Sequence, residues 1–390
     1  MPRAKRRVAL IYDARLVYDV KVMTGVAAYL QERGHYSVYV EENALKDQRL
    51  PDLRSWKGDG IIADFDDPAV ARLVGQSRLP TVGFGGGYGW YVEGSSTPYF
   101  FTNNQAIATL AIDHLLERGF KHFAYCGYAR TPINGWSEER EHAFVKLVTK
   151  RRCSCAVFHG HHKSTRQWAA VQQALGEWLR RLPKPVGVMA ANDNRGRQVL
   201  EACRAYDLNV PNEVTVIGVD NDELLCQLSS PPLSSIEQGA RRLGYAAAAL
   251  LDSLMRGRKP QQCRVIIDPV GVVTRQSTDV LAVEDSDVAR ALAYIREHAC
   301  DGIKVPRVVS AVGISRSGLE KRFASVLGNT IRTAIRRTQL ERARRLVSET
   351  DMPLKQVAAE TGFKSVQHLT TVFAHAFAKT PARYRQTTTR

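Results

Sequence analysis

Four short clusters of acid, amide and guanidinium side chains stand out in the first 275 residues. They are Tyr12-Asp13, Asp64-Phe65-Asp66-Asp67, Asn192-Asp193-Asn194-Arg195 and Asp220-Asn221-Asp222. Each follows a run of strand-type residues, which places it at the carboxyl end of a strand, where open α/β sheets bind ligands. A carboxylate or guanidinium can engage two neighbouring hydroxyls, and an aromatic ring can cover the C–H face of a sugar. Trp136 and Arg140 open a helix after the strand-type run from His122 to Cys126, and Tyr18 opens the first helix. The set Asp13, Tyr18, Asp64, Asp66, Trp136, Arg140, Asn192, Asp193, Asn194, Asp220 and Asn221 therefore predicts a cleft for a small polyol. Any single Asp or Asn at such a position caps a helix as readily as it binds a ligand. It is their number that points to a cleft.

Other chemistries find no support. The run Gly83-Phe84-Gly85-Gly86-Gly87-Tyr88-Gly89 suggests a phosphate or dinucleotide loop, but no start within it gives G-x-G-x-x-G. No Gly-Lys-Ser/Thr follows, and neither H-E-x-x-H nor G-x-S-x-G occurs. Cys153 and Cys155 near His159, His161 and His162 lack a second ligand pair and read as a surface loop rather than a metal site. A sugar-processing enzyme could use Asp64 with Asp66, or Asp220 with Asp222, but needs a positioned acid of raised pKa. No catalytic residue, metal or cofactor is assigned.

The second constellation lies near the end of the chain. Residues 305–323 and 354–373 share one plan of short helix, glycine turn and second helix. Ala311 and Ala358 are small residues suited to a close helix crossing. Gly313 and Gly362 supply a left-handed turn residue, followed by apolar Ile314 and Phe363. Ser315 and Ser365 cap the second helices, and the pairs Leu319/Phe323 and Leu369/Phe373 face a core. The second helix of such a unit enters the major groove. Its early exposed residues are Arg316, Ser317, Glu320 and Lys321 in the first unit and Gln367, His368 and Thr371 in the second. Arg and Lys pair with guanine, Gln with adenine, and Glu accepts from cytosine.

Charge agrees with that placement. The 390 residues carry 55 Lys and Arg against 39 Asp and Glu, a net charge of +16. Residues 301–390 alone hold 17 against 6. A segment this basic suits a polyanion, whose counterions it releases on binding. At this length about two to four domains are expected. No apolar run reaches the ~18 residues of a membrane span. The run Val8 to Tyr12 is too short for a signal peptide, so a cytoplasmic location is expected. Seven scattered cysteines are then expected to stay reduced.

The elements follow from pattern. Strand-type runs begin near Val8, Tyr36, Gly60, Thr81, Tyr99, His122, Ala156, Val186 and Val214, with helix-length patterns between them, among them Val17 to Arg33 and Gln238 to Met255. Alternation of this kind predicts βαβ units and parallel sheets. So many strands exceed one comfortable sheet, and two lobes are expected. The predicted organisation is an α/β domain over 1–275, a polar linker over 276–287 and an all-α domain over 288–390.

Two resemblances sharpen this reading. Residues 288–390, with their paired units and the ending Thr380-Pro381-Ala382-Arg383-Tyr384-Arg385, resemble the DNA-binding module of AraC-type transcription regulators. Ala378 departs slightly from that family's G-x-[ST]-P-x-x-[YF]-R ending. Ala190-Ala191-Asn192-Asp193, Val216 through Asn221, Trp136 through Arg140 and Ser234 through Gln238 resemble the sugar-binding core of LacI-type regulators and periplasmic sugar-binding proteins. That resemblance implies a two-lobed, periplasmic-binding-protein-like fold in which Arg140, Asn192, Asp220 and Gln238 hydrogen-bond a sugar. LacI-type repressors carry an N-terminal DNA headpiece, and here an AraC-type module stands at the other end instead. An end-to-end resemblance to sugar-operon activators of this combined type, through residues 58–67, 237–245 and 302–317, implies an activator with D-xylose as effector, the alternative being an AraC-type activator or repressor that responds to another pentose or small sugar. It further implies a homodimer, double-stranded promoter DNA and RNA polymerase as partners, and no membrane.

Overall fold

The computed structural model describes residues 5–41, 56–87, 96–160, 168–279, 285–350, 352–377 and 379–388. The chain forms two compact units, Met1–Leu281 and Ala282–Arg390. In the first the order is β1 (Arg6–Ile11), α1 (Val17–Arg33), β2 (Tyr36–Glu41), β3 (Gly60–Asp64), α2 (Pro68–Gly75), β4 (Thr81–Gly85) and β5 (Tyr99–Thr102). It continues with α3 (Asn104–Leu116), β6 (His122–Cys126), α4 (Gly135–Lys150), β7 (Ser154–Phe158), α5 (Trp168–Arg181), β8 (Val186–Ala190), α6 (Asp193–Ala205) and β9 (Val214–Val219). Then come α7 (Glu223–Leu228), β10 (Ser234–Glu237), α8 (Ala240–Met255), β11 (Arg264–Ile267) and β12 (Gly271–Val273).

These strands build two six-stranded sheets, ordered β11-β5-β4-β3-β1-β2 and β12-β10-β9-β8-β6-β7. Every pairing in the first is parallel. In the second, β12 alone runs antiparallel to its neighbour. The chain passes between sheets after β5, after β10 and after β11, so the unit has two lobes joined by three crossings. The expected two-lobed α/β architecture is the one found. β3 and β9 are buried along their whole length, as parallel strands covered on both faces must be.

The polar strand ends start the helices. Asp67 accepts from the Ala69 N–H, Asn103 from Ala106, Asn192 from Arg195 and Asp222 from Leu225. Each satisfies an orphan donor of a first turn. Three strands lack a sequence signal. β10 begins Ser234-Ser235, yet both serines are fully buried. Ser234 Oγ donates to the Arg275 carbonyl at 2.9 Å and Ser235 Oγ to Asp193 Oδ1 at 2.5 Å. Hydrogen bonds to α6 and to the segment after β12 thus replace the apolar side chains that would have advertised a strand.

The start of the expected linker is corrected. Gln276–Thr278 is a 3-10 turn with Ser277 and Thr278 fully buried. Ser277 Oγ donates to the Val216 carbonyl at 2.6 Å, and Thr278 Oγ1 meets His114 Nε2 at 2.8 Å. Hydroxyls assigned to a polar linker are structural pins of the second lobe. Residues 280–284 of the expected linker lie outside the described residues, as do His161, His162, Tyr88, Gly89 and Ala378.

The second unit is helical: α9 (Ser286–His298), α10 (Val305–Val312), α11 (Arg316–Leu327), α12 (Ile331–Glu349), α13 (Leu354–Glu360), α14 (Val366–Phe377) and α15 (Pro381–Thr388). Gly313 and Gly362 have φ of +78° and +70°, the left-handed turns expected of them. Ser315 Oγ accepts from the Gly318 N–H at 3.2 Å, and Ser365 Oγ from His368 at 3.1 Å. Leu319, Phe323, Leu369 and Phe373 are fully buried. One expectation fails. Ala358 is buried, but Ala311 is exposed, and Val308 and Val312 fill the first unit's crossing instead. The Pro-x-x-Tyr-Arg ending has a packing reason. The Tyr384 ring packs edge-on against Phe373 at 5.5 Å, and Arg385 donates to the carbonyls of Val347 and Met352 at 3.2 and 2.7 Å.

Candidate functional site

The centre of the first unit is Arg140, in the second turn of α4 and 1% exposed. Its Nε donates to Asn104 Oδ1 at 2.9 Å, its Nη1 to the Ala191 carbonyl, and its Nη2 to Gln238 Oε1 at 3.1 Å. Gln238, itself buried, donates from Nε2 to Asp220 Oδ1. Asn104 donates to the Gly86 carbonyl at 3.0 Å. One guanidinium therefore ties the loop after β4 in the first lobe to the ends of β8, β9 and β10 in the second. A guanidinium has five N–H donors, and these contacts use three. The remaining two can meet a ligand's hydroxyls. The Trp136 ring stands 5.1 Å from the guanidinium carbon and edge-on to Tyr128 at 6.2 Å. A Cβ on Gly86 would come within 3.2 Å of the Trp136 Cγ. The glycine run thus lets α4 approach the first lobe, in place of any phosphate loop.

The first lobe contributes carboxylates. Asp13, Asp64 and Asp66 are all buried at the ends of β1 and β3. Asp64 Oδ1 accepts from the Asp66 N–H at 2.8 Å, and Asp66 Oδ2 from Gly86 at 2.6 Å. Burial pushes the Asp64 carboxyl up to about 7, with Asp67 and Asp13 adding to the rise. Burial also raises Asp66, and the Asp64 charge raises it further, while Arg140 opposes both. Asp220 is pushed up to about 6 by burial, again against Arg140. Asp13 is largely engaged by Arg15, which donates from its backbone N–H at 3.0 Å and from Nε at 2.7 Å.

Five expected contacts sit differently. Tyr18 belongs to the first lobe's core, its hydroxyl donating to the Gly85 carbonyl at 2.7 Å and accepting from Thr102 at 3.0 Å. Its ring is committed to the core rather than to a sugar face. Asp193 is buried and pins two elements, accepting from Ser235 Oγ and, at 2.7 Å, from the Asp222 N–H. Asn194 is exposed on the first turn of α6. Asn221 accepts at Oδ1 from Arg275 Nη2 at 2.8 Å and is a turn residue with a φ of +50°. Asn192 spends its Oδ1 on the α6 cap and on the Tyr128 hydroxyl at 2.8 Å. Strand-end composition cannot separate these roles. Asn104 and Tyr128 carry no sequence signal, because each gains its role from partners 36 or more residues away.

In the second unit Arg316, Ser317, Glu320 and Lys321 are exposed on the first two turns of α11. Arg316 Nε donates to Glu320 Oε1 at 2.9 Å. Gln367 and Thr371 are exposed on α14, where Thr371 also donates back to the Gln367 carbonyl at 3.0 Å. His368 is half-buried against the Phe363 ring. Burial lowers its pKa, and the charges of Arg336 and Lys364 lower it further. A hollow of about 790 Å3 between the two helix-turn-helix units is lined by Lys304, Arg316, Arg332, Arg336, Lys364 and His368. Such a cationic seat fits phosphate oxygens. Lys304 and Arg332 were not anticipated; only their spacing in three dimensions reveals them.

Three family patterns match in succession: the XylR N-terminal domain over residues 7–105, the periplasmic binding protein-like domain over 112–278 and a helix-turn-helix domain over 308–387. The chain is 38% identical to the xylose operon regulatory protein of Escherichia coli (strain K12), over 98% of this chain and 97% of that one. It is 36% identical to the protein of the same name from Haemophilus influenzae, over 97% and 98%. The solved structure of the xylose-binding transcription activator xylR matches with a TM-score of 0.81 at 37% identity, covering 99% of both chains. Among the described residues no helix is long and apolar enough to cross a membrane. With a two-lobed sensor of this kind and a double helix-turn-helix unit in one chain, the protein belongs to the xylose operon regulatory protein family of DNA-binding transcription regulators.

Proposed function

We propose that this chain binds D-xylose in the cleft around Arg140 and, as a cytoplasmic homodimer, activates transcription of genes for xylose uptake and breakdown. The carrying observation is the buried chain Asn104–Arg140–Gln238–Asp220, which joins both lobes and keeps two guanidinium hydrogens and a carboxylate for hydroxyls. Asp64, Asp66 and Trp136 complete the pocket, and Asn192 offers its amide. Sugar favours closed lobes, and it shifts the protein only by its differential affinity for the two arrangements. In a dimer, closure sets the two DNA units on adjacent half-sites beside RNA polymerase. Arg316, Ser317, Glu320 and Lys321 read one major-groove face, and Gln367, His368 and Thr371 the next.

Two measurements test this reading. Lys321→Ala is expected to cost about 1–3 kcal/mol of discrimination at one base position, the usual worth of a base contact. Competition binding against single-base variants of the operator reads it, with D-xylose affinity unchanged. Equal weakening on every sequence would make Lys321 a phosphate contact instead. The second measurement is pH dependence. An ionised Asp220 accepts from hydroxyls as a charged acceptor, the stronger kind, and burial pushes its carboxyl up to about 6. Protonation takes away that charge, and Asp64, pushed up to about 7, loses its own in the same pocket, so xylose affinity should be highest above pH 7 and at least about tenfold weaker at pH 5. A flat profile from pH 5 to 8 would place both Asp220 and Asp64 outside the contact.

A further inference from the structure

Lys21 stands on α1 in the first lobe, yet its ammonium is spent on the second. It donates to the Asp220 carbonyl at 2.5 Å, to the Asn221 carbonyl at 3.0 Å and to Glu237 Oε2 at 2.5 Å. An ammonium has three hydrogens, and all three are placed. The Lys21 side chain is 16% exposed. In an extended strand successive carbonyls point to opposite edges, toward the neighbouring strands. Asp220 and Asn221 have φ of +108° and +50°, which breaks that alternation and lets one cation reach both. Neither residue is glycine, so this backbone is held by its surroundings. Ser235 Oγ accepts from the Asn221 N–H at 2.9 Å, and Arg275 holds the Asn221 side chain, but the carbonyls of both residues are held by Lys21.

The same turn presents the Asp220 carboxylate to Gln238 and, through it, to Arg140. Glu237, the third partner, immediately precedes Gln238 on the crossing from β10 to α8. Beside Lys21, the same stretch of α1 is locked to the start of α8. A Cβ on Gly244 would lie 1.8 Å from the Val22 carbonyl oxygen, and one on Gly25 2.0 Å from that of Arg241. The two helices are therefore packed backbone to backbone, and Lys21 extends from that pair to the ends of β9 and β10 in the second lobe.

We infer that Lys21 is a positioning residue for the sugar response: a clasp between lobes that fixes the Asp220 turn and holds the closed arrangement. The inference rests on the sugar-cleft reading above, and its test separates the two. In the full-length chain, Lys21→Met keeps the length and removes the cation, and Lys21→Arg restores a cation. Two readouts are taken, D-xylose affinity by calorimetry and hydrogen exchange of the backbone over residues 218–222. Without any sugar, Lys21→Met is expected to exchange at least tenfold faster over that segment than the parent, with β1 and β6 unchanged. With sugar, its affinity is expected to fall about tenfold, while residues 136–140 keep their sugar-dependent protection. Lys21→Arg is expected to recover most of both losses. Glu237→Gln serves as a second variant should Lys21→Met fold poorly, and a smaller change of the same sign is expected. Unchanged exchange over 218–222 in the sugar-free Lys21→Met protein, or affinity within twofold of the parent, would overturn the clasp. A parent that binds no xylose but shows the exchange difference would sink the sugar reading and leave the clasp standing.

Discussion

An Arg140→Met protein is expected to bind D-xylose at least a hundredfold more weakly than the parent, with affinity for DNA in the absence of sugar within a few-fold. The side chain keeps similar reach along its stem, so the loss reports the guanidinium. Two hydrogen bonds from a charged donor contribute about 1.5–3 kcal/mol each, and about 2.7 kcal/mol is a hundredfold. A further loss comes from Gln238 and Asn104, whose buried oxygens accept from this group. The variant is also expected to unfold at lower denaturant, because Asp220 stays in the cleft while its cation has gone. Calorimetry with D-xylose and a denaturant titration of the same sample check both effects. Sugar affinity within threefold of the parent would remove Arg140 from the site.

Phe373→Ala is expected to act on the other unit alone. Phe373 is fully buried beside Leu369, with the rings of Phe377 and Tyr384 at 4.6 and 5.5 Å. Truncating such a side chain costs about 3–5 kcal/mol through lost burial and the cavity left behind. That is a large share of the roughly 5–15 kcal/mol by which a domain is stable. Sequence-specific DNA binding at 37 °C is expected to be lost, and an early unfolding transition to appear in guanidinium. Xylose affinity is expected to stay within twofold, since the residue belongs to a separate compact unit. Equal damage to both activities would contradict the division of labour between the units.

How much of this was legible in the sequence depends on where each residue's partners lie. Helix α1 runs from Val17 to Arg33 as its periodicity predicts, closed by Gly34 at a φ of +68°. The recognition helices were legible for the same local reason: glycine, apolar residue and capping serine all act within a few positions of one another. The cleft was legible as a set but not residue by residue. Asp193 and Arg140 are both buried polar groups near strand ends, and only the contacts separate a pin between strands from a cleft cation. Gln238 was marked by resemblance alone. Lys21 and Asn104 were silent, because a lysine on an amphipathic helix and an asparagine in a first turn are ordinary. Lys21 meets an acceptor 199 positions further along the chain. Spacing rules reach a turn or a strand, and such a contact depends on the whole fold. β10 was missed for a related reason, since its buried serines are satisfied by partners more than 40 positions away.

The central claim is that the cleft around Arg140 takes D-xylose. Its most direct test is calorimetric titration of the full-length protein with D-xylose beside D-ribose, L-arabinose and D-glucose. Saturable one-site binding of D-xylose, at least tenfold tighter than that of the other three, is the predicted result. Absence of heat from D-xylose in a folded sample, or tighter binding of one of the other sugars, would contradict it.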